Sequence, residues 1–135
     1  MSQTSGKLQL SLNVTERILV IEASSPFDSN FAEEYQRQLI PLRNALVDKA
    51  WASMAVISGD NVILAPEIRQ FLVAAISQAR NLGLCATCLI LPENCSEEAK
   101  VFWHQLYEEA GVEYQLVSNR DDAFVWLTLR LSKVL

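Results

Sequence analysis

Two cysteines in the middle of the chain match the Cys-x-x-Cys spacing of thiol redox motifs. Cys85 and Cys88 enclose an alanine and a threonine. Redox pairs of this kind place the first thiol at the N-terminus of a helix, where the helix dipole lowers its pKa. Here both residues lie inside a predicted strand, and positions i and i+3 of a regular strand point to opposite faces. We therefore predict two core thiols that behave as small hydrophobic side chains.

The third cysteine, Cys95, has one feature of a reactive thiol and one feature that opposes reactivity. It comes just before a predicted helix at residues 97–110, and the dipole of that helix favours a thiolate. Glu93, Glu97 and Glu98 surround it in sequence, and their negative charges raise a thiol pKa. We retain Cys95 as a candidate reactive thiol, and a thiol enzyme that uses it as the third of three functional hypotheses.

The single histidine and the paired carboxylates do not form a catalytic set in the sequence. His104 is the only imidazole, so a His-rich metal site or a His-based triad has no second histidine to use. The pairs Glu108-Glu109 and Asp121-Asp122 lie on predicted helices, where adjacent residues do not face each other. We predict no catalytic residue, no metal ligand and no cofactor.

The remaining candidate is the connection at residues 58–65, between a predicted strand and a predicted helix. It contains no Gly-rich phosphate-binding pattern. Its apolar residues either plug the end of the sheet or form an exposed apolar patch, and such patches mark surfaces for partners or apolar ligands. In open sheets, ligands and partners gather at the carboxyl ends of strands. The predicted partner or ligand surface consists of Ser58, Gly59, Asp60, Asn61, Val62, Ile63 and Leu64.

The elements that position these residues follow from the hydrophobic pattern. Apolar alternation and short apolar runs predict strands, and apolar residues recurring every three to four positions predict helices. The predicted strands are residues 7–13, 17–23, 51–57, 84–91 and 112–117. The predicted helices are residues 31–49, 66 to the closing Gly83, 97–110, and 118 to near the C-terminus.

Three further predictions concern helix ends. Pro41 removes a backbone donor inside the first helix, so we expect a kink or break at residues 37–42. Asn94, with Glu97 three residues later, is the predicted capping box of the third helix. Ser118 is the predicted cap of the fourth helix.

The order of elements predicts an α/β fold. After an initial hairpin, a helix joins each strand to the next, and such crossovers are right-handed and give parallel neighbours. We expect a mixed, mostly parallel sheet of about five strands with four helices, in the order ββαβαβαβα. The 135 residues form one predicted domain, residues 1–135, which is long enough to remove roughly 70% of its unfolded surface from water.

Composition excludes several classes of partner. The chain carries 16 acidic and 11 basic residues, a net charge of -5, and has no basic cluster of the kind that nucleic acids and anionic membranes require. Its apolar runs are far shorter than the roughly 18 residues of a membrane span. We expect no nucleic-acid partner and no membrane insertion. Residues 1–6 do not resemble a secretory signal, so we expect a cytoplasmic protein with free thiols.

The order of elements also resembles the STAS domain, named for sulfate transporters and anti-sigma-factor antagonists. Within that family the chain is more similar to the SpoIIAA-like branch of small stand-alone bacterial proteins. The resemblance covers residues 7–131. It includes Trp51 at the start of the central strand, the helix that ends at Gly83, Glu109-Ala-Gly-Val-Glu-Tyr114 leading into the last strand, and Ala123-Phe-Val-Trp-Leu127 in the final helix.

The resemblance implies one regulatory site. Sporulation-type STAS antagonists are phosphorylated on a serine of an Asp-Ser-Ser/Thr-Gly motif between the third strand and the second helix. The corresponding residues here read Ile57-Ser-Gly-Asp-Asn61, with the same residue types in a different order. Ser58 is therefore the candidate phosphorylation site. A phosphate there would add nearly two negative charges beside Asp60 and would repel an acidic partner surface.

Two hypotheses follow for the function. The first is a non-enzymatic regulatory module of STAS type that binds a protein partner through residues 58–66 and the adjoining helix ends; a homodimer is compatible with it. The alternative is a carrier of a small apolar molecule, with Val62, Ile63, Leu64 and residues 24–30 lining a pocket of roughly 300 Å³ or more. Exposure of residues 62–64 would favour the first hypothesis, and convergence on a void would favour the second.

Overall fold

The chain alternates strands and helices in the predicted order. The computed structural model describes residues 7–46 and 49–134. The elements are β1 (Leu8–Asn13), β2 (Ile18–Ser24), α1 (Ser29–Arg43), β3 (Trp51–Ser58), α2 (Pro66–Asn81), β4 (Leu84–Ile90), α3 (Glu97–Ala110), β5 (Glu113–Leu116) and α4 (Arg120–Ser132).

The five strands form one sheet in the sequential order β1-β2-β3-β4-β5. β1 pairs with β2 in antiparallel register, and the other neighbours are parallel. Each of the three parallel crossovers moves one strand in the same direction. Because such crossovers are right-handed, α1, α2 and α3 lie on the same face of the sheet. The mixed, mostly parallel α/β sheet predicted from the sequence is confirmed.

The face covered by α1, α2 and α3, here called the three-helix face, holds the larger core. Its buried residues include four aromatic side chains, Tyr35, Trp51, Trp103 and Tyr107. α2 packs there through an apolar stripe whose buried residues are Ile68, Leu72, Ile76 and Ala79. Burial of this aromatic and aliphatic area is the dominant favourable contribution to folding.

The opposite face, here called the α4 face, is covered by α4. Ala123, Leu127 and Leu131 of α4 are buried there. The strands oppose them largely with small or flexible side chains, which are Ala52, Met54, Ala86 and Cys88 together with Ile18 and Ile90. This face therefore buries fewer and smaller side chains than the three-helix face.

The two strand cysteines lie on the same side of the sheet, and the prediction of opposite faces is wrong. The register of β3 and β4 shifts between Trp51 and Ala52, which pair with Leu84 and Ala86, so Cys85 is an extra, bulged residue. A bulge reverses the alternation beyond it. Cys85 therefore packs against the α4-face core that contains Cys88. Burial raises the pKa of both thiols, that of Cys88 to about 12, as expected of core thiols.

The first helix is shorter than predicted. α1 ends at Arg43 with Pro41 in its last turn, and the chain continues in tighter turns, with Leu46 N donating to the Arg43 carbonyl at 3.0 Å. Pro41, which lacks a backbone donor, therefore lies near the end of the helix. The helix ends one residue beyond the predicted break at residues 37–42. Residues 47 and 48 of the predicted helix lie outside the described residues.

Two predicted caps are each displaced by one or two residues. α3 is capped by Ser96, whose hydroxyl accepts a hydrogen bond from Ala99 N at 3.0 Å, and not by Asn94. α4 is capped by Asn119, whose side chain accepts from Asp122 N at 2.8 Å, and not by Ser118. Each of these helix starts contains two residues that could act as a cap. The residue that does so is the one whose side-chain oxygen reaches the third backbone amide of the helix.

Candidate functional site

The connections after β2, β3 and β4 emerge together at the carboxyl edge of the parallel strands. The connection at residues 59–65 follows β3, and the connection at residues 91–96 follows β4. Between them lies an open cleft of about 470 Å³, lined by residues 59–63, 92–96 and Ala99. Residues 59–63 of the predicted surface and the candidate thiol Cys95 therefore line the same cleft.

The β3–α2 connection is exposed at its beginning and buried at its end. Ser58, Gly59, Asp60 and Asn61 are exposed, whereas Ile63 is half-buried. Val62 is 4% exposed and Leu64 is 5% exposed, and both belong to the core of the three-helix face. This is the alternative in which these residues plug the end of the sheet. Their side chains contribute nothing to an exposed apolar patch.

Hydrogen bonds fix the shape of the connection. The indole nitrogen of Trp103 donates to the Val62 carbonyl at 2.9 Å. The Asn61 side-chain oxygen accepts from Ile63 N at 3.1 Å, which is the local turn that asparagine favours. Ser25 N donates to the Ser58 carbonyl at 2.9 Å and ties the β2–α1 connection to the end of β3. The exposed tip, defined as residues 58–61, is held at both ends.

Gly59 is required where the tip meets Ser25. Its φ of +111° is a conformation that residues with a side chain rarely adopt. A Cβ atom built on Gly59 would lie 1.9 Å from Ser25 Oγ and 2.9 Å from Ser25 N. The turn after β3 and its close approach to the neighbouring connection therefore both depend on this glycine.

Ser58 and the residues that follow it face two different clefts. Ser58, the last residue of β3, lines a second and larger open cleft of about 700 Å³ near β1, β2 and the N-termini of α1 and α4. Arg120 and Glu22 form an ion pair on the wall of this second cleft. No local sequence pattern could predict this pair, because its residues are 98 positions apart. The tip thus forms a ridge between the two clefts.

Cys95 and His104 are not brought together. Cys95 is half-buried directly before the cap of α3, whereas His104 lies nine residues further on, roughly 13 Å along a helix. His104 Nδ1 is 2.9 Å from the Tyr114 hydroxyl, and His104 Nε2 is 3.7 Å from a Glu108 carboxylate oxygen. No imidazole is therefore placed to activate the thiol.

The internal cavity near residues 24–30 is small. Leu64, Phe27 and Phe31 line it together with core residues of the sheet, and its volume is about 40 Å³. A single water molecule occupies about 30 Å³ of liquid, and pockets for small ligands begin near 300 Å³. Neither of the two larger clefts brings residues 62–64 together with residues 24–30. Within residues 7–46 and 49–134, the carrier hypothesis therefore lacks the shared apolar pocket that it requires.

Metal binding and membrane insertion find no support in the described part of the chain. No group of three or more His, Cys, Asp or Glu side chains there could hold a metal ion. No helix in those residues is both long and apolar enough to span a bilayer.

Comparison with known proteins relates the chain to one fold. No family model and no curated protein sequence matches it. The crystal structure of an uncharacterised protein of the DUF3478 family from Shewanella loihica PV-4, described as having a SpoIIAA-like fold, superposes with a TM-score of 0.65. The match covers 94% of this chain and 98% of that chain at 11% sequence identity. At this identity the likeness concerns the fold alone. The chain therefore has a SpoIIAA-like α/β fold, as the resemblance implied.

Proposed function

We propose that the protein is a non-enzymatic regulatory module that binds a protein partner through the tip at residues 58–61, the half-buried Ile63 and the adjoining 470 Å³ cleft. The observation that carries the proposal is an exposed polar tip on a buried, hydrogen-bonded base. Binding surfaces that are already ordered lose less conformational entropy on association. Loops held on a rigid scaffold are a common location for binding residues.

The charges of the cleft favour one kind of partner surface. Its charged lining residues among those described are Asp60 and Glu93, and both are acidic. Complementary potentials steer association and exclude wrong partners. We therefore expect a partner surface that presents lysine or arginine to this cleft, with an apolar group against Ile63.

The proposal is tested by capture of a partner from a lysate of the source organism. Baits carrying Asp60→Lys or Ile63→Asp should lose the protein that the wild-type bait retains. The first variant reverses the charge of the tip, and the second places a carboxylate where an apolar contact is expected. Binding of the isolated partner would then be measured by calorimetry, with a loss of about tenfold or more for each variant.

Two matched controls come from the opposite end of the sheet. Glu16→Lys and Val14→Asp make the same chemical changes in the turn between β1 and β2, where Val14 is exposed. Both should capture the partner as well as the wild type does. Equal binding by all five proteins, or equal loss in the tip and control variants, would contradict the proposal.

Phosphorylation of Ser58 is a separate prediction that reports the charge of the partner. Ser58 is exposed at the end of β3, within reach of a kinase. A phosphoserine adds nearly two negative charges. It should strengthen binding to a basic surface and weaken binding to an acidic one. Semisynthetic protein carrying phosphoserine at this position measures the sign directly, with Ser11 of the exposed β1 edge as the control position.

A further inference from the structure

The outer surface of α4 is apolar although no other element covers it in the described chain. Val125 and Leu129 are each 59% exposed, and Phe124 beside them is 39% exposed. Val125 and Leu129 are four positions apart and therefore adjacent on one side of the helix. Ala123, Leu127 and Leu131 bury the opposite side against the sheet. A soluble monomer more commonly presents charged residues on such a face.

Charged residues of opposite sign lie at the two ends of the apolar stripe that Val125 and Leu129 form. Asp121 and Asp122 lie in the first turn of α4, and Lys133 follows its last residue, Ser132. All three are exposed. Neither Asp121 nor Lys133 forms an ion pair within the residues that the structure describes. Along the helix, two acidic residues are therefore followed by Val125, then by Leu129 and finally by a basic residue.

This pattern is self-complementary about the middle of the helix. Val125 and Leu129 are each two positions from Leu127, and Asp121 and Lys133 are each six positions from it. In an antiparallel pair of α4 helices related by a two-fold axis near Leu127, Val125 meets Leu129 of the second copy and Asp121 meets Lys133. A parallel pair would instead oppose like charges. Two-fold interfaces use the same patch on both subunits.

We propose that the outer face of α4 is a self-association surface that pairs two copies of this chain through antiparallel α4 helices. The proposal is independent of the function proposed for the tip, because the tip lies at the strand ends and is anchored in the core of the other face. Antiparallel packing also places the opposite ends of the two helix dipoles together.

Burial of Ala123, Leu127 and Leu131 against the sheet sets which side of α4 faces outward. Ion pairs flank the helix on both sides. Arg120 pairs with Glu22 of β2, and Arg130 pairs with Glu113 of β5 at 2.8 Å and lies over the ring of Trp126. The side of α4 that carries Val125 and Leu129 is therefore presented to solvent.

The size of the surface predicts a weak dimer. One helix pair buries less than the roughly 1,600 Å² of a standard stable interface. The association state should therefore depend on concentration. Sedimentation velocity from about 10 µM to about 1 mM brackets a micromolar-to-millimolar dissociation constant, and the wild-type protein should pass from monomer towards dimer across this range.

Charge-swap variants test the antiparallel arrangement. Leu129→Glu should remain monomeric throughout, whereas Val101→Glu, a matched change at an exposed apolar residue of α3, should associate as the wild type does. Asp121→Lys should raise the dissociation constant about threefold or more, since symmetry repeats each surface ion pair twice in the dimer. Combining Asp121→Lys with Lys133→Asp should restore it.

Three results would overturn the proposal. A wild-type protein that stays monomeric up to about 1 mM, even if another protein binds this face, excludes self-association. Equal disruption by Leu129→Glu and Val101→Glu places the interface elsewhere. Failure of the double swap, with both variants folded by circular dichroism, excludes the antiparallel pairing.

Discussion

The two faces of the sheet differ in the size of the side chains they bury and in what they support. The three-helix face buries Trp51, Trp103 and other large aromatic residues under α1, α2 and α3. The α4 face buries mainly small residues of β3 and β4, such as Ala52 and Ala86, under a single helix. Sequential strand order with right-handed crossovers produces this asymmetry, because three helices must share one side.

The candidate site depends on the three-helix face. Val62 and Leu64, which anchor the β3–α2 connection, are buried in the core of that face, and Trp103 of α3 binds the Val62 carbonyl. α4 approaches the site only through Arg120 on the wall of the larger cleft. Loss of packing on the three-helix face should therefore disturb the tip, whereas loss of packing on the α4 face should leave the tip intact.

The largest effect is expected from Trp103→Ala. Trp103 is fully buried, and truncating a buried tryptophan costs about 3–5 kcal/mol of the free energy of unfolding. The variant also leaves the Val62 carbonyl without its donor. Urea denaturation measures the loss, and Trp103→Phe, which retains most of the apolar contact, is the control. A cost smaller than that of Leu127→Ala on the other face would contradict the comparison.

Leu127→Ala should cost less than Leu106→Ala, although both leucines are fully buried. Leucine-to-alanine changes cost about 2–5 kcal/mol, and the cost falls when the site can collapse. Leu127 belongs to α4, the only helix on its face in the described chain, and α4 can settle onto small residues of the sheet. Leu106 belongs to α3, which is packed against α2. Urea denaturation of both variants tests this. Equal losses would mean that α4 is held as firmly as α3.

Much of this architecture could be predicted from local sequence. The apolar stripe of α2, Pro66 at its start, Gly83 after its end and the bounds of α3 follow from residue patterns of fewer than twenty positions. The early end of α1 and the two displaced caps involve choices between neighbouring residues that local patterns leave nearly equal in energy.

The site was predictable in location but less so in composition. Chain topology places the 58–65 connection at the carboxyl edge of the sheet. Whether Val62 is a surface or a core residue depends on Trp103, which lies 41 positions away. The bulge at Cys85 likewise arises from pairing between two strands. Contacts of this kind are set by tertiary packing, which a single sequence does not display.

A smaller effect is expected at a pair of buried hydroxyl groups on the three-helix face. Ser53 and Thr87 are buried on adjacent strands with their hydroxyl oxygens 2.7 Å apart. Ser53→Ala leaves the Thr87 hydroxyl without this partner and should cost about 1–3 kcal/mol. Adding Thr87→Val should recover most of the loss, because both polar groups are then removed. A double variant less stable than Ser53→Ala would show that Thr87 has another partner.

The last prediction has no expected effect at neutral pH and separates the two faces by their response to alkaline solution. Burial raises the pKa of the Cys88 thiol, on the α4 face, from 9.0 to about 12, and that of the Tyr35 phenol, on the three-helix face, from 10.0 to about 12. The unfolded chain loses each of these protons at lower pH than the folded chain does, so stability falls as pH rises through these intervals.

The decline attributable to Cys88 should begin near pH 9 and that attributable to Tyr35 near pH 10, in each case ending near pH 12. Cys88→Ala should therefore lose stability less steeply than the wild type from pH 9 upward, and Tyr35→Phe only from pH 10 upward. Urea denaturation at successive pH values measures both slopes. If Cys88→Ala and the wild type decline in parallel, the thiol has the same pKa in the folded and unfolded chains, and the layer under α4 is open to water.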